Sequence, residues 1–222
     1  RTAFPLTEYI VMQLKYSLIQ DTVVTSFFTD SPYIKDSSGD FLTSSVGFGL
    51  SYNSLDNPQK PTKGQLITMN QEIAGAGGNE KFIKTLAKYD LYIPVYKTWV
   101  FNVAAEVGHI EGLSGNIRLN RRFFIGNPRM RGFKEAGLGP REWKAGNTNL
   151  FTGYSLGGNT FYNAKAELFI PLGGGARELG IEASAYVDVG ALFNVDAEDS
   201  LTSDTGVVYN VLGNTMKPRV SV

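Results

Sequence analysis

The chain predicts an all-β fold, an antiparallel transmembrane β-barrel of which it supplies one part, and three observations carry that prediction. Apolar and polar residues alternate with a period of two over long runs, the pattern of strands with one apolar and one polar face. These runs exceed the about 5 to 6 residues of an average soluble strand and suit the about 9 to 11 that a tilted strand needs to cross a hydrocarbon layer. The face opposite the apolar one carries Lys15, Glu72, Lys84, Lys88, Asp90, Glu106, Lys165, Glu167, Glu182 and Asp188. A sandwich core would not tolerate these charges, whereas a wet lumen accommodates them.

Taken in order, residues 8–20 set Ile10, Met12, Leu14, Tyr16 and Leu18 against Gln13, Lys15 and Ser17. Residues 43–53 set Val46, Phe48, Leu50 and Tyr52 against small and polar neighbours, and residues 65–74 set Ile67, Met69 and Ile73 against Thr68, Asn70 and Glu72. The pattern recurs in 81–93, 99–109, 159–170 and 179–193, and residues 219–222 begin another strand. Short turns at 55–64, 94–98 and 171–178 alternate with longer loops at 21–40, 111–158 and 195–218, as periplasmic turns and extracellular loops do. The short 75–80 link is the exception. Seven strands and the start of an eighth would leave bare edges, and each unpaired backbone group costs several kcal/mol in lipid. The expectation is therefore an internal fragment of a larger barrel, forming an open sheet. Ile10, Leu14, Phe48, Leu50, Phe101, Val103, Leu168, Ile181 and Val187 should face lipid. Tyr89, Tyr92, Tyr96, Trp99, Phe161 and Phe193, towards strand ends, should form interfacial girdles.

Composition narrows the function. Lys and Arg together number 21, equal to Asp and Glu, for zero net charge at pH 7, which argues against nucleic acid as a partner. The absence of cysteine excludes disulfides, thiolate metal sites and a cysteine nucleophile. His109 is the single histidine, so neither a zinc set nor a Ser-His-acid triad can be assembled, and no catalytic residue, metal or cofactor is expected. Gly173-Gly174-Gly175 lacks the G-x-x-x-x-G-K-[ST] context of a phosphate cradle and reads as a turn. No apolar run approaches the about 18 residues of a membrane helix. The segment 121–140, RRFFIGNPRMRGFKEAGLGP, is too rich in Gly, Pro and aromatic residues for a plain hairpin, and reads as an ordered loop with work to do.

Within that segment Phe123, Phe124 and Gly126, then Met130-Arg131-Gly132-Phe133, then Gly139-Pro140, resemble the signature loop of the BamA family of outer-membrane assembly factors, in the bacterial surface antigen superfamily. The family pattern is R-F-[FY]-x-G-G, a spacer, V-R-G-F and a later G-P. Asn127 stands for the second glycine, Asn being the next best residue at positive φ. Met130 stands for valine, one apolar filler for another. The turn at 55–64 resembles the family's D-N-x-x-x-P-T-x-G connection. The resemblance implies a barrel of about sixteen strands, preceded by POTRA domains that this chain lacks. The loop, at about 113–156, would join the eleventh strand to the twelfth, and the chain would run from strand seven into strand fourteen.

The same resemblance implies that Arg131 enters the lumen. Ala164 to Leu168 match A-x-x-E-[FL], and Tyr186, Asp188 and Gly190 match [FY]-x-D-x-G. Glu167 and Asp188, both on the polar face by the alternation, are the expected partners, because a planar guanidinium can be held by two carboxylates. Gly132 would let the backbone turn and Phe133 would pack beneath. The implied function is insertion and folding of β-barrel proteins in the outer membrane of a Gram-negative bacterium, by seam opening and edge pairing with substrate strands. Its implied partners are the lipid bilayer, nascent β-barrel proteins and, through the POTRA domains, accessory lipoproteins. The alternative is a two-partner-secretion or other translocation pore of the same superfamily.

Overall fold

The structure, a computed structural model, describes residues 1–25, 31–145, 153–172 and 182–222. In chain order its strands are β1 (Thr2–Pro5), β2 (Ile10–Val23), β3 (Gly39–Asn53), β4 (Gly64–Ala74), β5 (Phe82–Tyr96), β6 (Trp99–Gly112), β7 (Arg141–Lys144), β8 (Thr160–Ile170), β9 (Ala183–Phe193), β10 (Ser200–Thr202), β11 (Val208–Leu212) and β12 (Arg219–Ser221). Nine form one antiparallel sheet in the order β1-β2-β3-β4-β5-β6-β8-β9-β12, which does not close on itself, and β10-β11-β7 form a small second sheet. The seven long strands and the short β12 match the alternation. The expected reversal at 94–98 narrows to the residues between Tyr96 and Trp99, with Lys97 at φ 47°. Ile181 and Gly173-Gly174-Gly175 lie outside the described residues.

Register makes one face continuous: Met12 pairs with Leu50, Leu50 with Met69, Met69 with Ala87 and Ala87 with Val107. Leu14, Phe48, Leu50 and Val187 on this face are exposed, while Ile10, Phe101, Val103 and Leu168 are half-buried. None of the eight enters a core. The buried apolar residues lie on the opposite face, where Phe82, Ile110 and Phe161 of the wall meet Phe123, Ile125, Met130 and Leu138 of the loop that follows β6.

Three features depart from the sequence reading. β1 pairs with β2, Thr2 opposite Leu14 and Pro5 opposite Val11, but four residues ending in proline are too few to display a period. The loops after β2, β6 and β9 build their own cap: Tyr33, in a short helix α1 (Pro32–Lys35), packs with Leu156, Val195 and Tyr209. Ser31 caps α1 and Pro32 opens it, a recognisable start signal. In the cap the Ser31 hydroxyl donates to Glu142, and burial pushes that carboxyl up from its ordinary range. Thirdly, Phe161 and Tyr92 are not girdle residues. Phe161 is 1% exposed and meets Phe123 edge to face at 4.8 Å, while Tyr92 pairs with the buried Asn102 on the inward face. Nearness to a strand end sets depth, but parity along the strand sets the face.

Candidate site at the loop after the sixth strand

The strands themselves bring two acids together. In the β8–β9 pairing Glu167 lies opposite Tyr186 and Lys165 opposite Asp188, so Glu167, Tyr186 and Asp188 are close neighbours on the inward face. Arg131 arrives from the loop. Its Nε and Nη2 donate to Asp188 Oδ2 and Oδ1 at 2.9 and 2.7 Å, its Nη1 donates to Glu167 Oε2 at 2.8 Å, and its backbone N–H donates to Asp188 Oδ2 at 3.1 Å. The Ser184 hydroxyl donates to the other oxygen of Glu167 at 2.7 Å. Asp188 is 1% exposed, Glu167 13% and Arg131 26%, so these are charge-assisted bonds in a largely dehydrated setting. Its hydrogen bonds to Asp188, then to Glu167, hold the guanidinium charged above its ordinary range.

Tyr186 completes the site, its ring centroid 3.5 Å from the guanidinium carbon, a cation–π contact. Tyr186 belongs to the [FY]-x-D-x-G motif, which does not by itself assign it this contact. A period-two strand already places residues 186 and 188 on one face, and that parity is the signal from which the contact could be found.

Local backbone chemistry shapes the loop. The Met130 N–H donates to the Gly126 carbonyl at 2.9 Å and the Asn127 N–H to the Phe133 carbonyl at 3.2 Å, closing a compact turn. Gly132 takes φ 79°, and a β-carbon there would lie 2.8 Å from Ser221 Oγ. A β-carbon on Gly126 would collide with the Lys134 carbonyl. Met130 is fully buried, with its sulfur against Gly190. Phe133 packs on the loop core, Phe124 lies beside Gly157, and Gly139, at φ 96°, leads into the buried Pro140. The expectation for Asn127 is corrected: it is not among the residues at positive φ, and instead precedes Pro128 across a cis bond. A following proline restricts the residue before it to extended backbone.

The other loop arginines make contacts that neither the alternation nor the motif assigns. Arg122 donates to the carbonyls of Ile117 at 2.9 Å and Leu156 at 3.2 Å. Arg129 pairs with Glu106 at 3.1 Å. Arg121 reaches Glu80 and Asp21 at 2.8 and 2.5 Å. Among the described residues no cluster of acids and imidazole has metal-binding composition.

Known proteins share this architecture. The profile of the Omp85 superfamily domain matches residues 1–216. Over 213 residues the chain is 29% identical to outer membrane protein assembly factor BamA of Neorickettsia risticii (strain Illinois), covering 95% of this chain and 28% of that one. It is 26% identical over 239 residues to BamA of Neisseria meningitidis serogroup B, covering 98% and 29%. It is 27% identical over 180 residues to the human sorting and assembly machinery component 50 homolog, covering 76% and 35%. The chain thus spans roughly a third or less of these relatives. In fold it is similar to the crystal structure of BamA from Haemophilus ducreyi lacking POTRA domains 1-3, with a TM-score of 0.71 at 20% identity, covering 86% of this chain and 40% of that one.

Proposed function

This chain belongs to the Omp85 superfamily, and from that premise we propose that it forms part of the barrel of an assembly factor that inserts and folds β-barrel proteins in the outer membrane of a Gram-negative bacterium. The observation that carries this reading is the loop seated against the inner wall, with Arg131 held between Glu167 and Asp188 under one face of a sheet whose other face is apolar. The names of relatives matching 95% and 98% of the chain, assembly factors both, support it.

Mechanistically, no bond is broken. A sheet in lipid that opens at an edge presents unpaired N–H and C=O groups, which a substrate strand can satisfy by augmentation. The wall must keep its register while that edge changes partners. The loop serves this by bonding side chains of β8 and β9 from within, so that Arg131 staples two neighbouring strands. The proposed partners are the bilayer and nascent β-barrel proteins, with accessory lipoproteins engaging POTRA domains of the whole protein.

The test is reconstitution of the full-length protein in phospholipid vesicles with an unfolded β-barrel substrate. Arg131→Ala should lower the yield of folded, protease-resistant substrate in the bilayer. Arg131→Lys should restore it in part, because an ammonium cannot make the planar two-pronged contact. Full activity of Arg131→Ala removes the loop from the mechanism. Substrate recovered inside the vesicles instead of within the membrane assigns a translocation pore.

A further inference from the structure

We propose that Arg121 is a second anchor of the loop, acting on the opposite flank of the wall from Arg131 and independently of it; the inference rests on the reading that the loop works while seated inside the barrel. Arg121 ends a single 3-10 turn (Leu119–Arg121). Its Nε donates to Glu80 Oε2 at 2.8 Å, and its Nη2 donates to Asp21 Oδ2 at 2.5 Å and Thr43 Oγ1 at 2.6 Å. The Thr43 hydroxyl donates to the same Glu80 oxygen at 2.5 Å. Asp21 belongs to β2, Thr43 to β3 and Glu80 to the link between β4 and β5. One guanidinium therefore gathers β2, β3 and the link between β4 and β5, none of them touched by Arg131.

Burial separates this cluster from an ordinary solvated loop arginine. The Glu80 side chain is 6% exposed and that of Arg121 17%, and a carboxylate so withdrawn from water needs a cation. Arg118 adds a second guanidinium, 3.9 Å from Glu80 and stacked 3.9 Å over the Phe41 ring. Two cations thus meet two carboxylates. Lys84 of β5 donates to the Arg121 carbonyl at 3.2 Å and lies 4.4 Å over the Phe123 ring, fastening the adjacent backbone to the same flank. The loop is a strap pinned at both ends of its path across the wall. Arg121 is a positioning residue, since it contacts only the wall and the strap.

The experiment is amide hydrogen exchange on the full-length protein in phosphatidylcholine bilayer discs. Arg121→Ala and the shape-conserving Glu80→Gln should each speed exchange at 117–125 by roughly ten- to a hundred-fold while 130–133 stay protected. Arg131→Ala should do the reverse, the double variant should free both segments, and Arg121→Lys should recover part of the protection. Unchanged exchange at 117–125 in both Arg121→Ala and Glu80→Gln overturns the anchor. Equal loosening of 130–133 overturns its independence, and a lysine variant no better than alanine overturns the role of the charge. Insertion activity is read in parallel: an Arg131→Ala protein that remains fully active removes the loop from the mechanism, while the exchange data still decide the anchor.

Discussion

Asp188 and Asp56 do the same chemistry in opposite surroundings. Asp188 accepts three hydrogen bonds, all from Arg131, and is almost wholly withdrawn from solvent. Asp56, in the turn between β3 and β4, accepts from the backbone N–H groups of Asn57, Thr62 and Lys63 at 3.0, 2.9 and 3.1 Å and from the Thr62 hydroxyl at 2.5 Å, in open solvent. Asp56 makes more bonds, yet the contrast teaches that number is a poor guide to consequence. Water replaces a partner lost at Asp56, whereas nothing replaces one lost at Asp188.

The largest expected effect is therefore Arg131→Ala, which strands Asp188 and Glu167 without their cation and should cost about 3–5 kcal/mol of loop stability. Native-state exchange at 130–133 measures it, and a loss as small as that of an exposed pair would break the contrast. Next come the acids. Asp188→Asn should weaken the loop more than Glu167→Gln, because Glu167 is less buried, makes one bond to Arg131 and keeps Ser184. The reversed order in parallel denaturant titrations would show that burial does not rank the partners. Gly132→Ala should cost about 1–2 kcal/mol from its left-handed backbone alone, with the Ser221 hydroxyl able to give way; the same titration reads it.

The smallest effect belongs to Asp56→Ala, which should loosen only its own turn. The Thr62 hydrogen bonds lower the Asp56 carboxyl from 3.8 to about 2. A depressed folded pKa stabilises above the ordinary value, and that contribution is lost as pH falls through about 2. Amide protection at Thr62 and Lys63 should accordingly survive mild acid and fade towards that limit. Fading at neutral pH would mean that the carboxylate does not hold the turn.

These contrasts also mark what a single sequence discloses. Period two by itself places Glu167, Tyr186 and Asp188 on one face, because the pleat fixes side-chain direction. The motif around Arg131 then names the residue that meets them. Glu80 and Arg121 carry no such signal: they are 41 residues apart, neither sits in a periodic segment, and their meeting depends on where two loops fold. The small sheet is hidden for the same reason, since β7 and β11 are short strands distant in the chain, and pairing between distant segments leaves no local pattern. Phe161 and Tyr92 show that sequence position along a strand is legible while an assignment by depth alone misleads.

Before its strands pair, the polypeptide carries only short apolar runs, such as Leu168-Phe169-Ile170. Its mean hydropathy is −0.12, and within the long strands apolar side chains largely alternate with polar or small ones. The apolar belt comes into being only when Met12, Leu50, Met69, Ala87 and Val107 are drawn into a single row by five neighbouring strands. The surface that suits lipid is thus a product of strand pairing, made by register and not by any one segment of the chain.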